Sequence, residues 1–142
     1  MIPVVTTLFL ARPYALNHNS VNDLKPRLNE GTFIFLSGRE NLLPDTESIL
    51  VFRELEGYTH VISTLDAKRL KISYDKAWSW ITLDLHSSLS MVGLTAAFSS
   101  ALSRESIPCN VVAGFHHDHL FVPYELADRA LSILNKVSIT SS

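Results

Sequence analysis

The 142-residue sequence contains a single cysteine, Cys109, and this scarcity excludes several kinds of site. One cysteine can form neither an internal disulfide nor a thiolate cage for a metal within one chain. Such usage is typical of the reducing cytoplasm, where we expect this protein. Long apolar runs are also missing, since no stretch approaches the ~18 apolar residues of a membrane span. The apolar start, Met1 to Ala11, has no basic leader and is interrupted by Pro3, so we expect a soluble protein without a secretory signal.

Runs of basic residues are absent as well. Twelve Lys and Arg residues stand against 14 Asp and Glu, a net charge of −2, and no cluster of Lys or Arg could follow a phosphate backbone. Nucleic acid and membranes are therefore not expected partners. Hydrophobic residues make up 46% of the chain and charged residues 18%, so burial can offset the entropy lost on folding.

The second half of the chain carries the clearest secondary-structure pattern. Trp80 to His86 alternates between apolar and polar residues, as expected of a half-buried strand. Pro108 to Phe115 and His119 to Val122 are apolar runs that predict an antiparallel pair, and Pro123 suits the start of a closing helix. A helix is predicted between the first of these strands and the antiparallel pair. Its apolar residues recur at spacings of three and four: Leu94, Ala97, Phe98, Ala101 and Leu102.

The first half predicts the order α-β-β-β-α. Val21, Leu24 and Leu28 at helical spacing predict a helix within Asn19 to Gly31, which Pro26 would confine. Composition and turn residues predict the remaining elements. These are strands at Thr32 to Leu36, Leu50 to Leu55 and Tyr58 to Ser63, and a short helix at Thr64 to Leu70.

Both halves fit an α+β protein in which helices cover one face of an antiparallel sheet. Only SITSS, residues 138–142, follows the last helix, so we expect the second βαββαβ unit to lack its fourth strand and the halves to exchange one. We place the boundary between units 1–75 and 76–142, and residues 1–19 have no place in the pattern. The predicted core of the second unit is Ile81, Leu83, Leu85, Leu94, Phe98, Leu102, Val111 and Leu131.

The most conspicuous polar cluster is GFHHDH, from Gly114 to His119. Histidine and aspartate are good ligands for zinc or iron, so one hypothesis is a small metal-dependent or hydrolytic enzyme. Along a strand, however, His117 and His119 share one face and His116 the other, so at most two imidazoles converge without a turn. The helical spacing of hydrolytic zinc motifs is absent. We favour a polar turn with hydrogen-bonded histidines and no metal.

The connection between the predicted strand and helix, Ser87 to Gly93, is a second candidate site. A helix N-terminus presents unpaired N–H groups and the positive end of the helix dipole, which suit a carboxylate. Ser87 or Ser88 can cap the helix, contact a ligand, or do both. We interpret Gly93 as part of the first helical turn, where Gly93→Ala would preserve stability but obstruct the ligand.

Two segments resemble a known family. ITLDLHSSLSMVGLTAAFSSALSRESIPCNVVAGFHHDHLFVP, Ile81 to Pro123, is similar to the C-terminal ACT module of small tandem ACT-domain proteins. FRELEGYTHV, Phe52 to Val61, resembles a Glu-x-Glu-Gly-x-Thr segment of the same family. That family is related to the regulatory modules of aspartate kinases and to the arginine sensors upstream of the TOR kinase. The resemblance covers Thr32 to Leu134.

The resemblance implies two ferredoxin-like ACT units that bind a small molecule, an amino acid by analogy, without catalysis or cofactor. This chain has no room for an attached output domain, so regulation would act through a partner protein or a homodimer. By the family pattern, ligand contacts would come from the strand-to-helix connection and the histidine cluster. These residues are Ser87, Ser88, Val92, Gly93, Leu94, Gly114, His116, His117 and Asp118.

Overall fold

Nine strands and three helices make up the described part of the chain, which is residues 21–41, 43, 48–85 and 89–140 of the computed structural model. The first half contains β1 (Val21–Asp23), β2 (Pro26–Leu28), β3 (Phe33–Gly38), β4 (Ser48–Arg53), β5 (Tyr58–Ser63) and α1 (Thr64–Arg69). The second half contains β6 (Trp78–Leu83), α2 (Leu94–Arg104), β7 (Asn110–Ala113), β8 (Asp118–Pro123), α3 (Ala127–Leu134) and β9 (Ser138–Thr140). A 3-10 turn, Tyr124–Leu126, precedes α3.

Strands from both halves join one antiparallel sheet in the order β4-β5-β3-β6-β8-β7. The junction between the halves is the pairing of Phe33 in β3 with Trp78 in β6. Further along the same edge of β6, β2 pairs with its last residues, from Leu28 opposite Ile81 to Pro26 opposite Leu83. β3 and β2 therefore share one edge of β6, and the short chain between them turns at Gly31, which has a φ of 89°.

The helices lie on one face of this sheet. Strand alternation sends Ile34 and Ile62 to the face that packs against Ala67 of α1, and Ile81 and Leu120 to the face that packs against α2 and α3. Because Phe33 and Trp78 are paired and share the opposite face, the two helical layers fall on the same side. The α+β architecture with helices on one face is confirmed.

The opposite face carries an aromatic cluster that spans both halves. Phe33 contacts Trp80 edge-to-face at a centroid distance of 5.6 Å, and Phe35 contacts Phe121 in the same way at 5.3 Å. Phe33, Val61 and Phe121 are buried within this cluster. Side chains of β3 and β5 thus complete the packing of β6 and β8.

The predicted helix within Asn19 to Gly31 is wrong in the described residues, which form β1 and β2. Lys25 has a φ of 46°, and Pro26 can donate no helical hydrogen bond. The backbone instead bonds to the second half, where Asp84 N donates to Lys25 O over 3.1 Å. Leu24 joins the core beneath α2 and α3. The helical spacing of Val21, Leu24 and Leu28 was misleading, because pairing with distant strands determines the conformation of this segment.

The predicted absence of a strand after the last helix is also wrong. Ser138 to Thr140 form β9, which pairs antiparallel with β1 so that Asp23 lies opposite Ser138. The expected exchange between halves does occur in one direction, because β2 lies beside β6. The N-terminal segment of the described chain is therefore bound to the second unit at both of its strands.

Most of the predicted core is found, with one exception. Ile81, Leu83, Leu94, Phe98 and Leu102 are buried together, and Leu85 and Leu131 pack against them. Val111 is 38% exposed, and it lies on β7, the strand at one edge of the sheet. No helix in the described ranges is long and apolar enough to cross a membrane. Residues 1–19 lie outside the described residues.

Candidate functional site

The strand-to-helix connection and the histidine hairpin lie at the same end of the sheet. β6 and β8 run antiparallel with Leu83 opposite Asp118. The chain therefore leaves β6 toward Asp84 at the same end where the turn between β7 and β8 enters β8. Ser87 and Ser88 fall outside the described residues.

Helix α2 begins differently from the sequence-based interpretation. Its N-cap is Gly93, with φ 92° and ψ −15°, and no side chain caps the helix. The prediction that Ser87 or Ser88 caps the helix is therefore wrong. The prediction that Gly93 lies inside the first helical turn is wrong as well. The left-handed φ strains any side chain at this position, although a Cβ here would meet no atom within 4 Å. The first amides of α2 therefore have no side-chain hydrogen bond from the N-cap residue.

The residues beside Gly93 point in opposite directions. Val92 is 93% exposed, and Leu89, earlier in the connection, is exposed as well. Leu94 is 4% exposed and packs in the core, so a ligand at this end could meet its backbone but not its side chain. The connection therefore offers an apolar surface next to uncapped helix amides.

The hairpin between β7 and β8 depends on a close approach at Gly114. Gly114 N donates to His117 O over 2.9 Å, and a Cβ on residue 114 would lie 2.7 Å from that same oxygen. The tight turn therefore requires glycine at position 114. Gly114 shapes the hairpin and has no side chain with which to contact a ligand. His116 at the tip is exposed, whereas His117 and Asp118 are half-buried. Burial raises the pKa of Asp118 above its ordinary value.

His119, just inside β8, is held by two donors. Trp80 Nε1 donates to His119 Nδ1 over 3.0 Å, and Thr82 Oγ1 lies 3.1 Å from the same nitrogen. An indole nitrogen can only donate, so Nδ1 accepts and the neutral ring carries its proton on Nε2. Burial lowers the pKa of His119, and the nearby His117 lowers it further. Both effects favour the neutral ring that the hydrogen bonds require.

A polar chain missed by the sequence reasoning extends this network to β2. Asn29 Nδ2 donates to Thr82 Oγ1 over 2.9 Å, and Arg27 Nη1 donates to Asn29 Oδ1 over 2.6 Å. Arg27 Nε also donates to Asp84 Oδ2 over 2.8 Å, a bond that lowers the pKa of Asp84. A helix was predicted for this segment, and a helix would not place Arg27 opposite Thr82. That position comes from the pairing of β2 with β6.

The geometry does not favour a metal site built on the histidines. His119 uses Nδ1 to accept from Trp80, and His116 lies exposed at the hairpin tip. Across the residues that the structure describes, no group of three or more His, Cys, Asp or Glu side chains could hold a metal ion. Burial also raises the pKa of the Cys109 thiol to about 11, which keeps it protonated and a poor ligand.

Comparison with protein families finds an ACT domain in each half of the chain. One ACT domain family matches residues 20–79, and a second matches residues 75–136. Neither match includes a catalytic domain. Comparison with curated proteins finds no match.

Solved structures of similar fold include a Vibrio cholerae protein of unknown function, described as a possible transport protein. It is 39% identical, with 80% of this chain and 88% of that chain covered and a TM-score of 0.73. An Agobacterium tumefaciens protein is 18% identical over 80% of this chain and 87% of its own, with a TM-score of 0.59. Aspartokinase, solved with its alpha and beta subunits, is similar in fold at 12% identity, with 82% of this chain and 97% of that chain covered and a TM-score of 0.61. The chain therefore belongs to the tandem ACT-domain proteins.

Proposed function

We propose that this protein is a non-catalytic sensor that binds an amino acid at the end of the second ACT unit. The observation that carries the proposal is the start of α2, an eleven-residue helix whose N-cap, Gly93, makes no side-chain hydrogen bond to the first amides. Its amides and dipole suit the carboxylate of a free amino acid. ACT domains in general bind small regulatory ligands, which supports the same class.

The neighbouring groups could recognise the rest of such a ligand. Asp118, which begins β8 at the same end of the sheet, offers a carboxylate for the amino group. Val92 and Leu89 offer exposed apolar surface for the side chain. Ser87, Ser88, His116 and His117 remain proposed contacts, as the family resemblance implies. Gly114 shapes the hairpin, and Leu94 contributes only its backbone.

A thermal-shift screen of the twenty amino acids tests this proposal. An amino acid present at ~100 times its dissociation constant should add roughly 2.7 kcal/mol to stability. Val92→Glu should abolish the ligand-induced shift in melting temperature. The new carboxylate beside the helix N-terminus would repel the carboxylate of the ligand and compete with it for the helix amides. Val92 is almost fully exposed, so the variant should fold normally.

Leu65→Glu is the matched control. Leu65 is also exposed and lies in the first turn of α1, in the other unit. It introduces the same charge at a helix start and should leave the amino-acid shift intact. An unchanged shift in Val92→Glu, or no shift with any amino acid in the unmodified protein, would contradict the proposal.

The signal would pass to another chain. We propose two units divided near residue 75 that act through a second copy or a partner protein, since edge strands β4 and β7 leave backbone groups available for pairing. Light scattering coupled to size exclusion, with and without the amino acid found by the screen, would test this. A mass equal to one chain under both conditions would rule out the dimer.

A further inference from the structure

A pocket in the first unit lies away from the groups discussed so far. It has a volume of about 250 Å³ and is lined by the apolar side chains of Leu36, Leu43 and Ile72. Ser37 and Glu40 also line it and are exposed, so the pocket reaches the surface. The apolar residues pack against Ile34, Ile62 and Ala67 under α1. The pocket therefore has an apolar interior and a polar rim.

One polar side chain, that of His60, lines this interior. His60 lies on β5 opposite Leu36 of β3, and it is 3% exposed. Its Nδ1 is 2.9 Å from Ser48 Oγ. Its Nε2 is buried and has no hydrogen-bond partner. Buried nitrogens without partners are rare in native proteins because the lost hydration is not replaced, and each calls for an explanation.

We propose that this pocket binds a small neutral molecule with an aliphatic body and one hydroxyl, carbonyl or amide group that hydrogen-bonds to His60 Nε2. The volume is below the ~300–1,000 Å³ of sites for drug-sized ligands, so the molecule is small. The serine hydroxyl can donate to or accept from Nδ1, so Nε2 can be either the acceptor or the donor. A primary amide complements both arrangements.

The apolar walls select against charged ligands. A free amino acid would have to bring a carboxylate and an ammonium group past the rim of Ser37 and Glu40, into an interior that His60 shares with three aliphatic side chains. Burying such charges without partners is strongly unfavourable. This pocket is therefore distinct in chemistry from the proposed amino-acid site at α2, and neither site depends on the other.

The test uses 3-methylbutanamide as the probe and the full chain labelled with ¹⁵N and ¹³C. Titration should produce saturable shifts of the His60 Nε2 resonance and of the methyl groups of Leu36, Leu43 and Ile72. His60→Leu keeps a similar volume but removes the nitrogen, so binding should weaken about tenfold or more. Tyr124→Leu, at an exposed ring of the other unit, should bind as the unmodified protein does.

A second variant keeps the test decisive if His60→Leu fails to fold. Leu43→Phe narrows the pocket from a half-buried position and should reduce binding while His60 Nε2 remains observable. The proposal is overturned if the amide does not bind, if it binds without shifting His60 Nε2, or if His60→Leu binds with equal affinity. Binding of leucine that Val92→Glu abolishes would bear only on the α2 site.

Discussion

At the scale of single residues, His119 shows how donors select a protonation state. Trp80 and Thr82 both approach Nδ1, and Trp80 can only donate. Protonating Nδ1 would replace an accepted hydrogen bond with a clash of two donors. The ring is therefore a structural acceptor that joins β6 to β8, which explains its position in a histidine-rich hairpin without invoking a metal.

This arrangement predicts a pH-dependent stability. The pKa of His119 in the folded protein is below its ordinary value of 6.5, so the unfolded chain takes up the proton first. The contribution is present above the unfolded pKa and is lost as pH falls toward the folded one. His119→Asn keeps an acceptor for Trp80 but does not titrate. Between about pH 7.5 and 5, denaturant titrations should show a smaller loss of unfolding free energy in this variant.

The control for that experiment is His116→Asn, at an exposed side chain in the same hairpin. It should keep the pH profile of the unmodified protein. Parallel profiles for His119→Asn and the unmodified protein would show that His119 does not titrate differently in the two states.

Gly93 leads to a revised prediction about stability. Its φ of 92° is left-handed, so Gly93→Ala should cost about 1–2 kcal/mol even though a Cβ would meet no neighbour. Gly31→Ala is a matched control, with a φ of 89° and one ordinary contact with Phe33 at 3.9 Å. Denaturant titration should give losses of similar size. A gain in stability for Gly93→Ala would instead support a helical backbone there.

At the scale of elements, the segment Val21–Leu28 belongs to the core of the unit that follows it. Leu24 is fully buried among residues of β6, α2 and α3, whereas Leu28 of the same segment is 38% exposed. The strand pairing that places Leu24 there crosses more than fifty residues of sequence. The second ACT unit is therefore incomplete without this part of the first half.

Truncating Leu24 tests that dependence. Leu24→Ala should cost about 2–5 kcal/mol, because it removes a buried side chain and leaves a cavity. Leu28→Ala, in strand β2 of the same segment, should cost about 1 kcal/mol or less because much of its surface is already exposed. Equilibrium unfolding of both variants measures the difference. Equal, small losses would mean that the segment does not pack against the second unit.

At the scale of the whole molecule, the two units share an interior. Phe33 and Val61 from the first half and Phe121 from the second are buried in one cluster, and the sheet continues from β3 to β6. Removing either half would expose aromatic surface of the other. We therefore expect the two units to unfold together in one transition.

Phe33→Ala tests this cooperativity. The substitution should lower the free energy of unfolding by about 3–5 kcal/mol. Native-state hydrogen exchange should report the same loss at Ile62 in β5 and at Val122 in β8, both of which are fully buried. A loss confined to Ile62 would show that the second unit is stable by itself.

The sequence alone determined the elements whose signals are local. The apolar stripe of α2, the alternation of β6, and the apolar runs of β7 and β8 needed only the spacing of residues that meet the core. The tandem ACT architecture was predicted from the resemblance of two segments, Phe52 to Val61 and Ile81 to Pro123, to a known family. The ligand contacts that the family resemblance implies in the connection before α2 and in the histidine hairpin stay a prediction.

Tertiary structure decided the rest, because it depends on partners distant in the chain. Val21 to Leu28 became two strands since β6 and β9 supply their hydrogen bonds, and no local spacing records that. Arg27 reached Asp84 only through this pairing. His60 lay in an ordinary strand pattern, and only the packing of β3, β5 and the chain after α1 placed it in an apolar pocket. Spacing predicts which face a residue takes, but non-local pairing decides what it meets there.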